Sequence, residues 1–190
     1  MSESAQKTIV VFGSGKPAPD SDNYLLAFEL GKALASAGYQ LANGGYGGTM
    51  AALAQGAHLA CQEHNINSIT IGVTCSAFGR SGPNQWIDKE LRTENLSERL
   101  NTLINLGDAF IVLPGGTGTL LELAACWELM NKHFLKQAPI ICLTTYWKPV
   151  INLLVEAGET DGRYVCYADS LDQVLQILTK HFKTISTQPS

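Results

Sequence analysis

Basic runs, paired cysteines and long apolar stretches are all missing from this chain, and each absence removes a class of function. Its 13 Lys and Arg residues are scattered among 17 Asp and Glu, for a formal net charge of -4. No positive field follows a nucleic-acid backbone, so nucleic acid is not expected as a partner. The five cysteines, Cys61, Cys75, Cys126, Cys142 and Cys166, are odd in number, lie mostly in apolar stretches and show no C-x-x-C spacing. They read as reduced core thiols. His58, His64, His133 and His181 are dispersed along the chain without ligand spacing, so no metal is expected. No apolar run approaches the length of a bilayer span, and "MSESAQKTIV" has neither a basic n-region nor an apolar h-region. The expectation is a cytoplasmic protein without membrane contact. Any anionic ligand must then be held by backbone amides or single cations, and small phosphorylated molecules fit that requirement.

What the chain does have is alternation. Its 190 residues, 45% hydrophobic, suit one domain with a real core, with about residues 1–7 and 184–190 frayed. Short β-branched runs at 8–12, 40–42, 68–73, 109–113, 139–143 and 164–168 are each followed by a helical pattern. "YLLAFELGKALASAG" stops at Gly38, "TMAALAQGAHLACQEH" is alanine-rich, and "SLDQVLQILTKHF" begins at the N-cap candidate Ser170. Strands this apolar are buried on both faces, as in a parallel sheet covered by helices. The fold class expected is α/β: a doubly wound parallel sheet, Rossmann-like, in a single three-layer domain.

Glycines collect where such sheets bind ligands, beyond the carboxyl ends of the strands. "GSGK" (13–16) follows the first strand, "NGGYGG" (43–48) the second and "PGGTGT" (114–119) the fourth. Any one of them is explained by a tight βα turn; three at one edge point to a cradle. Ser14, Gly15, Gly44 and Gly45 are accordingly expected to touch a nucleotide. Two known phosphate motifs do not apply. "GSGKPA" is followed by Pro19 where a dinucleotide-binding helix should open, and the second strand ends in Asn43 rather than an acidic residue. A Walker A loop would need glycine at Val10 and Ser or Thr at Pro17. In "PGGTGT", Gly115, Gly116 and Gly118 let backbone approach a ligand, and Thr117 and Thr119 add hydroxyls where helix amides are unpaired. These five residues are the expected phosphate site.

Glu122 follows one turn into the next helix and has two readings. Thr119-Leu-Leu-Glu122 matches a capping box, in which threonine and glutamate satisfy backbone amides. Alternatively, the carboxylate meets whatever is attached to the phosphate.

"PGGTGTLLE" resembles the P-G-G-x-G-T-x-x-E signature of the LOG family, the cytokinin-activating nucleoside 5'-monophosphate phosphoribohydrolases and their bacterial relatives, often mislabelled as lysine decarboxylases. "VVFGSG" and "NGGYGGTMAALAQGA" look like the family's first strand and second glycine stretch, departing at Asn43, Thr49 and Ala51. The resemblance implies hydrolysis of an N-glycosidic bond to free base and ribose 5-phosphate, without a cofactor. Glu122 and Arg99 would be the catalytic pair, and a homodimer is implied, consistent with "ELAACWELMNKHFL" being apolar on more than one face. Leu100 stands where better-matching members have lysine. That departure keeps a second class open: a phosphate-, nucleotide- or molybdenum-cofactor-binding carrier without turnover. Arg99 itself lies beside a stripe of Leu96, Leu100, Leu103 and Ile104, so a solvated helix position is its other reading. Arg80 and Arg92 compete with it, because "CSAFGRSGPNQWIDKELRTEN" (75–95) is a polar insertion able to cover a pocket. Trp127 reads as core or interface. None of the nine lysines has the setting of a Schiff-base lysine.

Overall fold

The computed structural model describes residues 6–186. Seven strands form one all-parallel sheet: β1 (Thr8–Phe12), β2 (Gln40–Asn43), β3 (Thr70–Cys75), β4 (Lys89–Thr93), β5 (Ala109–Val112), β6 (Ile140–Leu143) and β7 (Val165–Ala168), in the spatial order β4-β3-β2-β1-β5-β6-β7. The doubly wound, Rossmann-like α/β class expected from the alternation is the one observed. α1 (Asp22–Ser36), α2 (Thr49–His64) and α6 (Leu171–Ser186) cover one face; α3 (Leu96–Leu106), α4 (Thr117–Asn131) and α5 (Lys148–Glu156) cover the other. Alternate residues of β1 feed the two cores, Ile9 and Val11 into the first and Val10 and Phe12 into the second. Both faces being covered explains why these strands read as continuous apolar runs.

The small residues of α1 and α2 set how closely they pack. A side chain at Gly31 would strike the Leu53 carbonyl, and one at Gly56 the Phe28 carbonyl. Lys7 and the Thr8 amide both bond the Asp108 carboxylate, at 3.0 Å each, which ties the chain ahead of β1 to the start of β5. At the other end, α6 opens with the Gln173 amide donating to the Ser170 hydroxyl and runs to Ser186. The segments expected to fray, 1–7 and 184–190, lie in large part outside the described residues.

One strand departs from expectation. β4 falls inside the segment expected to be an irregular insertion. It pairs only with β3, at the sheet edge, and exposes Lys89, Glu90 and Arg92. Its ladder and the Thr93 hydroxyl, donating to the Thr74 carbonyl at 2.7 Å, hold it in place. Charges on an edge strand guard it against pairing with other chains, and they also erase the apolar signal by which strands are recognised. The "PGGTGT" loop therefore follows the fifth strand rather than the fourth.

Candidate functional site

Strand order reverses between β1 and β5: the chain winds outward to β4 on one side and to β7 on the other. The loops leaving these two strands must diverge, and the loop after β2 lies alongside. Between them is a cavity of about 500 Å3, within the range of small-molecule sites. Ser14, Gly15 and Gly44 line it, as do Gly116, Thr117, Gly118 and Thr119. Two residues expected at the site, Gly45 and Gly115, do not line this cavity. Gly45 lies behind the wall, its amide donating to the Asn43 side chain at 2.7 Å and its carbonyl accepting from the Asn84 amide at 2.7 Å. Gly115 lines a neighbouring compartment instead, and the Thr119 side chain occupies the space where a Cβ on it would stand.

Asn43, buried beneath the second loop, bonds both the Gly45 amide and the Met50 carbonyl, so this residue shapes the turn. Gly48 closes the same turn at φ 63°, where a Cβ would strike the Ser14 carbonyl and the Gly15 backbone. Only glycine combines that dihedral with that approach.

α4 begins at Thr117 with Gly116 as its N-cap, and no side chain caps it. The capping-box reading of Thr119 and Glu122 is thereby overturned. Thr119 is the third helical residue and Glu122 the sixth, in the second turn rather than the first. The pattern matches, but the helix starts three residues too early for it. The amides of the first turn are left without acceptors beside the exposed Gly116, Thr117 and Gly118, an arrangement suited to an anion.

Freed from a capping role, Glu122 faces Arg99. Arg99 is 7% exposed, which corrects its reading as a solvated position. Its Nε donates to the Val73 carbonyl at 2.8 Å, its Nη1 meets Glu122 Oε1 at 3.5 Å, and its Nη2 occupies the space above Gly44, where any Cβ would collide. The ion pair is long, at the limit of a hydrogen bond. Burial pushes the Glu122 carboxyl up to about 7, only partly offset by the Arg99 charge. The stripe expected around Arg99 divides: Leu103 and Ile104 are core, whereas Leu100 and the half-exposed Leu96 line the cavity.

The far end of the cavity is aromatic. The Tyr46 hydroxyl accepts from the Cys75 amide at 2.8 Å and donates to the Cys75 carbonyl at 3.2 Å, pinning the ring to the end of β3. Phe78 lies 5.9 Å from it, and the Arg80 guanidinium sits 4.7 Å above its centre. The segment after β3 does cover the cavity, tied down by Asn84 donating to the carbonyls of Gly45 and Tyr46. Arg92 is exposed on β4 and does not line it. Trp127 is core, 5% exposed, with its indole N–H unpartnered. Tyr46, Phe78 and Lys16 also line the cavity; each lies in a stretch the sequence points to, but none is assigned a role there. An aromatic side chain between two glycine pairs was the available signal for Tyr46.

The family model described as "Possible lysine decarboxylase" matches residues 50–181. A cytokinin riboside 5'-monophosphate phosphoribohydrolase of Mycobacterium tuberculosis is 34% identical over 122 residues, which is 63% of this chain and 62% of that protein, so less than two thirds of the relative is spanned. Among solved structures, a molybdenum cofactor carrier protein of Chlamydomonas reinhardtii superposes with a TM-score of 0.73 at 23% identity, over 92% of this chain and 97% of that one. A molybdenum cofactor binding protein of Rippkaea orientalis has a TM-score of 0.73 at 24% identity, over 93% and 98%. The decarboxylase label would require pyridoxal phosphate, and the residues do not fit it. Lys16 is the lysine lining the cavity, on an exposed loop, and Glu122, the carboxylate a pyridinium would need, is engaged by Arg99. The match over residues 50–181, together with the phosphoribohydrolase relative, makes this chain a member of the LOG family.

Proposed function

We propose that the protein hydrolyses the N-glycosidic bond of a nucleoside 5'-monophosphate, releasing the base and ribose 5-phosphate. The observation that carries this reading is the buried Arg99–Glu122 pair in the same cavity as the unpaired amides of α4. In this reading the 5'-phosphate sits on the Gly116–Thr119 backbone, with Ser14 and Gly15 opposite. The base lies among Tyr46, Phe78 and Leu100, under Arg80. The ribose then falls beside Glu122. As the C1'–N bond breaks, positive charge grows on the sugar ring, and the Glu122 carboxylate stabilises it and orients the attacking water. Water supplies hydroxyl to C1' and a proton to the departing base. Arg99 holds Glu122 in place without a tight clasp, and phosphate binding supplies the orientation. Because the carboxylate form is required, kcat/KM should fall about tenfold per pH unit below a value near 7.

A second reading, a phosphate-anchored carrier without turnover, is favoured by Leu100, which places an apolar side chain in the cavity wall. Base release from AMP by the parent protein and by Glu122→Gln separates the two. The hydrolase reading expects turnover in the parent and a loss of roughly 10²-fold or more in the variant. An inert parent that binds AMP favours the carrier, and a fully active Glu122→Gln removes Glu122 from the chemistry.

We also propose that the protein works as a homodimer in the cytoplasm. Five free thiols and the absence of any helix long and apolar enough to cross a membrane, among the described residues, support the location. Exposed apolar side chains support pairing: Leu121 on α4, Phe134 just after it and Leu153 on α5. Sedimentation at micromolar concentration showing only monomer would remove the dimer.

A further inference from the structure

A second, shallower compartment of about 430 Å3 opens on the other side of the glycine loop. Its floor is Pro114 to Gly116, Lys16 and Asn23 stand at its walls, and Tyr146 closes it. Ser14, Lys16 and Gly116 border both compartments, so the open start of α4 stands at their junction. Tyr146 is held firmly there. Its hydroxyl donates to the Gly115 carbonyl at 2.9 Å, and its ring meets Trp147 edge-on at 5.0 Å. The indole of Trp147 is in turn anchored to the Leu113 carbonyl at 2.9 Å. The Tyr146 side chain is nevertheless 53% exposed, which leaves ring surface open to a ligand. Among the described lining residues Lys16 is the only cation and there is no carboxylate. None of the ion pairs among the described residues engages Lys16.

A terminal phosphomonoester on the α4 amides needs only the main cavity. A second compartment on the same amides, with an uncommitted cation and a fixed aromatic ring, has the composition to hold what lies beyond that phosphate. Building on the nucleotide reading above, we propose that the site takes nucleotides extended through a diphosphate. The first nucleoside lies towards Glu122, the second phosphoryl near Lys16, and a planar group beyond it stacks on Tyr146.

Calorimetric titration of the whole protein with AMP, ADP and diadenosine diphosphate tests this. The expected order of affinity is diadenosine diphosphate over ADP over AMP, with the stacked ring adding roughly 10-fold, the scale of one base on one aromatic side chain. Tyr146→Ala should weaken diadenosine diphosphate about 10-fold more than AMP. Tyr146→Phe, which keeps the ring, should retain the parent ratio, and Lys16→Ala should narrow the gap between ADP and AMP. Diadenosine diphosphate binding no tighter than AMP, or a parent-like ratio in Tyr146→Ala, overturns the extension. The hydrolase reading survives that outcome, because it needs only AMP binding and base release. A protein that binds neither AMP nor ADP overturns both.

Discussion

α3 and α4 begin in opposite ways, and the difference separates structure from function. At α3 the Asn95 side chain accepts from the Glu98 amide at 2.9 Å, and the Glu98 carboxylate accepts from the Glu94 amide at 2.8 Å. Side chains of the same helix start satisfy its donors, and the helix is fixed where it delivers Arg99. At α4 the N-cap is Gly116, no side chain caps it, and the donors face a cavity. One helix start is completed by its own side chains; the other is left open towards the cavity, where the proposed phosphate would complete it. Glu122 and Arg99 join the two helices across the space between them.

The largest expected effect lies on that joining pair. Glu122 in the folded protein holds its proton up to about pH 7, against 4.5 without the fold. The folded state therefore binds the proton more tightly, and stability from this group is fully present below about pH 4.5 and lost as pH rises through about 7. Measured against Glu122→Gln, which keeps the neutral form, the parent should lose up to ~3 kcal/mol across that window, since each tenfold difference in proton affinity is worth about 1.4 kcal/mol. Parallel stability–pH curves for the two proteins would mean that burial does not perturb Glu122.

Smaller effects belong to the helix starts and the rim. Asn95→Ala removes a cap that holds the fold together, so it should cost ~1 kcal/mol in denaturant unfolding while phosphate-dependent binding persists. A comparable loss of AMP affinity would erase the distinction between the two helix starts. At the exposed rim, Arg80→Ala removes a cation from the face of Tyr46. Nucleotide affinity should drop only about 2- to 5-fold, the scale of an exposed cation–π contact. A far larger loss, on the order of 10²-fold, would make Arg80, not Arg99, the principal cation.

The contrast also marks what could be read from the residues alone. The apolar strands β1, β5 and β6 and the three glycine loops were legible, because burial on both faces and tight turns leave local signatures. β4 was not, since an edge ladder carrying Lys89, Glu90 and Arg92 lacks apolar periodicity. The Thr119-x-x-Glu122 pattern misleads because a cap depends on where the helix begins, and the backbone turns into α4 at Gly116. The true side-chain cap, Asn95 on the Glu98 amide with Glu98 on the Glu94 amide, is hidden at the end of a polar stretch that resembles an insertion. The burial of Arg99 depends on the Val73 carbonyl of β3 and on the bare α-carbon of Gly44, two partners brought to it only by the fold.

Gly116→Asp tests the central claim most directly, because it gives α4 the cap it lacks. A Cβ at Gly116 meets nothing within 4 Å, and the N-cap φ of -98° suits any residue. An aspartate there can accept from the first-turn amides and places its own charge where the phosphate is to sit. Helix stability should rise by about a few tenths of a kcal/mol, so loss of fold would not explain loss of binding. In a calorimetric titration with AMP, affinity should fall by roughly 10²-fold or more, since like charges brought together cost several kcal/mol. A Gly116→Asp protein that binds AMP as the parent does would show that the open start of α4 is not where the phosphate is held.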